Sequence, residues 1–411
     1  MKIKYILFIS FCCLAFSFPS NVNAQGGWTQ KADIISNGRG GAVGFSIGTK
    51  GYFGTGSDNT GAFFNDFWEY DPSTNTWTQM ADFAGAGRKE AVGFSIAQKG
   101  YVGTGWNGSG LSAFYSDFFE FDPVTNNWIQ KADFAGGGRI YSVGFSIGSK
   151  GFLGTGWNSS VDSIYNDFWE YDPAFDLWTR KSNFGGTVRV AAVGFSIGNL
   201  GYIGLGADTS GPINLCSDFW EYNPASDSWI QKSSPVLALS NCIGFAVGNY
   251  GYVGTGRDWG SNPHREFLKY DPSNNIWTVL PDFPGLEREN SICFSIGSKG
   301  YIGTGFGDFG YLNDFWEYDP TLSGSLEINT GNFISSISFP EKNRISITLN
   351  NSIKTGSVML YNLNGSLICQ SKIQNSNLIE VQPGSISSGI YLLSIYDGKE
   401  HYKRKFVFSS N

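Results

Sequence analysis

Asn65-Asp66-Phe67-Trp68-Glu69-Tyr70-Asp71-Pro72, with Trp77 five residues on, is the stretch whose reading decides the fold. It returns at 116–123, 166–173, 217–224, 265–272 and 313–320. The first five copies are each followed by a tryptophan: Trp77, Trp128, Trp178, Trp229 and Trp277. The sixth is not, and an unmatched Trp28 stands near the start of the chain instead. Working outward, a glycine triplet precedes every copy, as in Gly54-Thr55-Gly56, and an apolar segment such as Val43-Gly44-Phe45-Ser46-Ile47 precedes every triplet. The period is about 50 residues, the length of one supersecondary unit that cannot bury its own apolar face.

Each unit reads as four short antiparallel strands. Strand a is the Gly-Phe-Ser-Ile segment, and strand b ends on the triplet. A loop of variable length leads to strand c, Asp-Phe-Trp-Glu-Tyr. A turn rich in Asp, Pro, Asn and Thr leads to strand d, which opens on the tryptophan. Four such strands repeated six times is the pattern of a six-bladed β-propeller. The sixth unit lacks strand d, and Trp28-Thr29-Gln30-Lys31 has the look of the missing piece. The N-terminal strand is therefore expected to complete the last blade. Closing the ring removes the sheet edges that an open array would leave bare. Recurring Phe45, Phe94, Phe145, Phe195, Phe245 and Phe294 read as blade packing, and the Asp-Pro pairs as turn chemistry.

These features resemble kelch repeats: an apolar strand with glycines, a strand ending in Tyr-Asp-Pro, then Trp. The resemblance covers 28–320 and implies an all-β, kelch-like propeller of the kind at the centre of galactose oxidase. One departure is that this chain has Gly-x-Gly after strand b where kelch units usually carry adjacent glycines. Beyond Pro320 the repeat stops. "YNLNGSLI" (361–368) and "SSGIYLLSI" (387–395) resemble the C-terminal sorting domain of the type IX secretion system of Bacteroidota. That resemblance implies a small Ig-like β-sandwich that directs export across the outer membrane and is usually then removed. The expected organisation is a signal peptide at 1–24, a propeller at 25–320, a linker at 321–331 and a sorting β-sandwich at 332–411. The signal peptide rests on Lys2 and Lys4, an apolar run over 6–18, and small residues up to Ala24.

The 411 residues carry a net charge of −7, or about −9 once Lys2 and Lys4 are removed. With no basic block except Lys403-Arg404-Lys405, the chain has no electrostatic footprint for nucleic acid. Of the six cysteines, Cys216, Cys242, Cys293 and Cys369 follow the leader; they have no metal-like spacing and read as small buried residues, with a Cys216–Cys242 disulfide open. No metal or cofactor is expected. Copper chemistry of the galactose oxidase kind needs two histidines and two tyrosines, and this chain has only His264 and His401.

The irregular b–c loops share one face of the propeller and differ between blades, so that face is the expected binding surface. Candidate ligand-binding residues there are Trp106, Asn107, Trp157, Asn158, Arg257, Asp258, Trp259, His264, Phe306 and Tyr311. Tryptophan beside amide and charged groups suits stacking on a sugar and bonding its hydroxyls; packing of the rings over neighbouring blades is the competing reading. Arg39, Arg88, Arg139, Arg189 and Arg288 precede strand a in five blades, where blade five has Leu239. Strand c carries Glu69, Glu120, Glu170, Glu221 and Glu317, where blade five has Lys269. Both sets are expected to form structural ion pairs, the arginine meeting either that glutamate or the acid that heads strand c, such as Asp66. The functional expectation is a secreted or cell-surface, monomeric propeller that binds a glycan or extracellular protein without catalysis. The alternative is a metal-independent carbohydrate-acting enzyme such as a sialic acid mutarotase or epimerase, with blade five's Arg257, Asp258 and His264 as its nearest candidates.

Overall fold

The computed structural model describes residues 26–108, 114–208, 214–258, 260–308, 310–322, 334–341, 344–362, 367–382, 389–397 and 401–408. The expected leader, most of the linker and Trp259 lie outside them. Among the described residues there is no helix.

Six four-stranded antiparallel sheets follow one another along the chain. The first blade is Val43–Ile47, Lys50–Gly54, Phe67–Asp71 and Thr76–Gln79. The sixth is Ile292–Ile296, Lys299–Gly303, Phe315–Asp319 and, as its outer strand, Gly27–Gln30. Trp28 lies opposite Tyr318, the register that Trp77 keeps with Tyr70. It packs edge-on against Phe267 and Phe283, so the first strand closes the ring. The innermost strands touch in order around the axis, the first meeting the sixth.

Alternation explains strand a: in Val43–Ile47 residues 43, 45 and 47 are buried and 44 and 46 are not fully so. Its phenylalanine covers the next blade's strand b. A Cβ placed on Gly100 would meet Phe45 Cε2 at 2.5 Å, so that position must lack a side chain. The strand-d tryptophans lock blade to blade. Trp77 Nε1 donates to Ala32 O at 3.0 Å, and Asn75 Oδ1 accepts from Ala32 N at 2.9 Å. Trp128 and Asn126 repeat this bracket on Ala81, and Trp178 and Asp176 on Ala132. The Trp28 indole has no such acceptor and is buried unbonded. The closing seam has the packing of the other blade junctions but not this hydrogen bond.

Of the two pairings open to the arginines, the one formed is with the acid heading strand c. Arg39 holds both carboxylate oxygens of Asp66, at 2.5 and 2.9 Å, and donates to Thr55 O at 2.9 Å. Arg88–Asp117, Arg139–Asp167, Arg189–Asp218 and Arg288–Asp314 repeat the clamp, and the four guanidiniums are fully buried. The arginine does not pair with the strand-c glutamate, which belongs to a different network. Tyr52 donates to Glu69 at 2.6 Å, and Glu120, Glu170 and Glu221 each meet a lysine at the end of strand d. Glu317 is bonded by Tyr301 and Lys299. The two losses in blade five are therefore separate. Leu239 fills the arginine's place in the core, while Lys269 lies over the Tyr250 ring.

The C-terminal strands Ile334–Glu341, Arg344–Asn362, Leu367–Val381, Gly389–Tyr396 and His401–Phe408 form a separate five-stranded sheet. The 19-residue strand pairs along its length with three of the others, across shifts in register. Ile345, Ile347, Val358, Leu360, Leu393 and Ile395 form its fully buried core. The four cysteines among the described residues are free.

Candidate functional site

The connections from strand d into the next strand a meet at the axis. At Gly41, Glu90, Tyr141, Ala191, Asn241 and Asn290 the backbone takes φ between 53° and 64°. Five of these are not glycine, and residues held in this sparsely populated region gather where a fold presents function. Five of the six junctions carry a main-chain bond: Glu90 N donates to Gly41 O at 2.8 Å, Gly41 N to Asn290 O at 3.1 Å, Asn290 N to Asn241 O at 3.2 Å, Asn241 N to Ala191 O at 3.0 Å and Ala191 N to Tyr141 O at 3.1 Å. This girdle of main-chain bonds makes a rigid rim. Within it the side chains differ from blade to blade, although an arginine two residues before repeats in five of the six.

A cavity of about 130 Å³ opens at this rim. Glu90, Tyr141 and Glu289 line it with Lys89, Asn290, Phe306 and Tyr311. Blade one contributes Gly40 and Ser57, and a Cβ on the adjoining Gly41 would meet Glu90 Oε1 at 2.6 Å. The Glu90 side chain thus occupies space that blade one leaves empty. Burial lifts its carboxyl to about 7, with Glu289 adding to the effect and Lys89 opposing it. Glu289 is buried and ion-paired with Arg257, and it accepts from Asn241 Nδ2 at 2.9 Å. Burial raises its carboxyl and the Arg257 charge holds it back. The negative field of Glu90, then burial, pushes the Tyr141 hydroxyl far above its ordinary range.

Of the residues singled out from the sequence, Phe306 and Tyr311 line the cavity, their rings 5.0 Å apart. Arg257 reaches it through Glu289. Trp106 and Trp157 stand in a row of half-buried rings on the same face: Phe63–Trp106 at 5.7 Å, Trp106–Phe114 at 6.4 Å and Phe114–Trp157 at 6.2 Å. The rings pack on one another and still show part of their surface. Asn158 turns inward, donating to Gly138 O in the connection ahead of strand a at 2.5 Å and accepting from Ser160 N in its own loop at 2.8 Å. Asn107 bonds the Tyr115 hydroxyl. His264 is held between Glu266, 2.8 Å from Nδ1, and Asp258, 3.3 Å from Nε2. Burial lowers its pKa, but the two carboxylates outweigh that and hold it above the ordinary histidine value. Asp258 is held down to about 2, chiefly by Asn262. His264 thus takes the place beside the strand-c acid that Arg39 and its counterparts hold in the other blades.

Attention to the b–c loops alone misses Glu90, Tyr141, Glu289 and Asn290. A signal for them exists: one and two residues after the repeated arginine, or Leu239 in blade five, the six copies read Gly-Gly, Lys-Glu, Ile-Tyr, Val-Ala, Ser-Asn and Glu-Asn. Divergence at two adjacent positions inside an otherwise repeating unit marks a place released from packing. Among the described residues no group of three or more His, Cys, Asp or Glu is placed to hold a metal ion.

Residues 339–409 match the secretion system C-terminal sorting domain, and residues 55–84 match the Kelch motif. The chain is a kelch-type β-propeller followed by a type IX sorting domain, which makes it a secreted or cell-surface protein that engages the secretion machinery. Among solved structures it is similar to one titled "Structure of YjhT", at 14% identity and a TM-score of 0.60, over 69% of this chain and 95% of that one. A likeness at that identity shows the fold alone. No curated protein matches the chain.

Proposed function

We propose that the axial mouth of the loop face binds a glycan, without catalysis, at the surface of the exporting cell or outside it. The observation that carries this reading is the cavity itself. It lies where the repeated residues give way to carboxyl, amide, hydroxyl and aromatic groups on a hydrogen-bonded rim. Those groups suit a polyol whose hydroxyls need donors and acceptors and whose apolar ring faces need aromatic surface. The row of rings from Phe63 to Trp157 extends the surface across three blades, enough for more than one sugar residue. The test is a glycan array probed with the full chain. Binding that Trp157→Ala weakens supports the reading, and an array left blank by the full chain removes it.

A second reading, a metal-independent enzyme acting on a sugar such as a sialic acid mutarotase or epimerase, is favoured by one observation. Glu90, held near pH 7 beside Tyr141, is poised to give or take a proton. A mutarotation assay separates the two readings: turnover abolished by Glu90→Gln establishes the enzyme, and anomer exchange at the uncatalysed rate removes it.

A further inference from the structure

Charge balance in the cavity leads one step further, on the footing that the mouth binds a glycan. Two carboxylates face it, from the connections entering blades two and six. Glu289 is already matched by Arg257 and by the Asn241 amide. Glu90 is not. No lysine, arginine or histidine among the described residues lies within ion-pair distance of it, and Lys89, the nearest basic neighbour in sequence, has its ammonium 5.6 Å from the centre of the Trp106 ring. The other ionisable groups around Glu90 are Tyr141, Glu289 and, across the mouth, Arg257 and Tyr311. A carboxylate held in a pocket without a partner is costly, and its charged form is regained when a cation arrives with the ligand. Tyr141, Tyr311 and Phe306 wall the same cavity, and aromatic surface also favours a cation.

We propose that the axial mouth selects sugars bearing a free, protonated amine, and that Glu90 is the residue that takes the ammonium. The ammonium donates to the Glu90 carboxylate, and Tyr141 and Asn290 offer oxygens for its remaining N–H groups. An acetylated amine has lost the charge and adds bulk over Gly41, where the space is already taken by the Glu90 side chain. A hydroxyl in the same place forms only a neutral hydrogen bond, the weaker kind.

The test uses three oligosaccharides with one β-1,4-pyranose backbone that differ at C2: deacetylated chitosan, N-acetylated chitin and cellulose oligomers of equal length. Each is titrated calorimetrically into the full chain at pH 7. The expected result is chitosan binding about tenfold or more tighter than either other ligand, the gain of a charged over a neutral hydrogen bond. Glu90→Gln is expected to reduce that preference to less than about threefold while the melting temperature at pH 5 stays put. Equal binding of all three oligomers, or a preference that survives Glu90→Gln, overturns the amine proposal and leaves the glycan reading standing. Failure of all three to bind, beside a blank glycan array, overturns both.

Discussion

Arg88→Ala tests the physical role of the repeated arginines most sharply, because blade two has no second support for the acid it holds. Arg88 is fully buried and donates to Asp117 Oδ2 at 2.8 Å, Thr104 O at 2.9 Å and Ala86 O at 2.9 Å. Its guanidinium is stacked 4.0 Å from the centre of Tyr115. Truncation leaves two carbonyls short of a donor and Asp117 without its counter-charge. Removing one partner of a buried pair costs about 3–5 kcal/mol. Asp117 keeps 22% of its side-chain surface exposed, so the lower end, about 3 kcal/mol, is expected. In a domain this large that is a fall in Tm of roughly 6 °C. Arg39→Ala should cost less. Asp66 retains a bond from Trp68 Nε1 at 2.8 Å, whereas Phe119 stands at the matching place in blade two and has nothing to donate. The difference between the variants should be about 1 kcal/mol, one hydrogen bond. Differential scanning calorimetry reads both. A Tm for Arg88→Ala within 1 °C of the unaltered chain, or Arg39→Ala falling as far as Arg88→Ala, would refute the reasoning.

Other outcomes follow from the same structure. Glu90 prefers its neutral form in the fold, so its stabilising effect is complete below about pH 4.5 and is lost as pH rises through about 7. Glu90→Gln should therefore raise the melting temperature at pH 8, by up to roughly 3 kcal/mol of stability, and leave it unchanged at pH 4. His264 has the same sign for a different reason: its raised pKa means the charged form is the one favoured in the fold, between Glu266 and Asp258. Its contribution is full below its unfolded value near 6.5 and is lost above its folded one, so His264→Ala should lower Tm at pH 6 and change it little at pH 9. Trp28→Ala removes the ring that closes the propeller against Phe267 and Phe283, and should cost about 3–5 kcal/mol in chemical denaturation. Gly100→Ala sets a methyl against the Phe45 ring and should cost about 1–3 kcal/mol by the same measurement.

The ring and its closure were legible because packing repeats. A residue that meets the same neighbour in every blade recurs at one spacing, and Trp28 was readable as the piece missing from the sixth copy. The arginine's partner was narrowed only to two acids, since pairing depends on side-chain direction across strand b, which spacing does not carry. The mouth was hidden for the opposite reason. Glu90, Tyr141, Asn241 and Asn290 come together from separate connections spaced by the repeat of about 50 residues, and only the two asparagines are alike, so no shared motif announces them. Loop length drew attention to the b–c face, which does hold Phe306, Tyr311 and the tryptophan row. The short connection after each arginine, whose φ near 55° turns it into the axis, has no length or composition to mark it.

The most direct measurement takes the strongest glycan from the array and compares its affinity for Tyr141→Phe and Asn241→Ala, at the rim, with that for Phe175→Ser. Phe175 is 79% exposed in a c–d turn on the opposite face. Binding at the axis predicts a loss of about tenfold for each rim variant and none for Phe175→Ser. Unchanged affinity in both rim variants would contradict it.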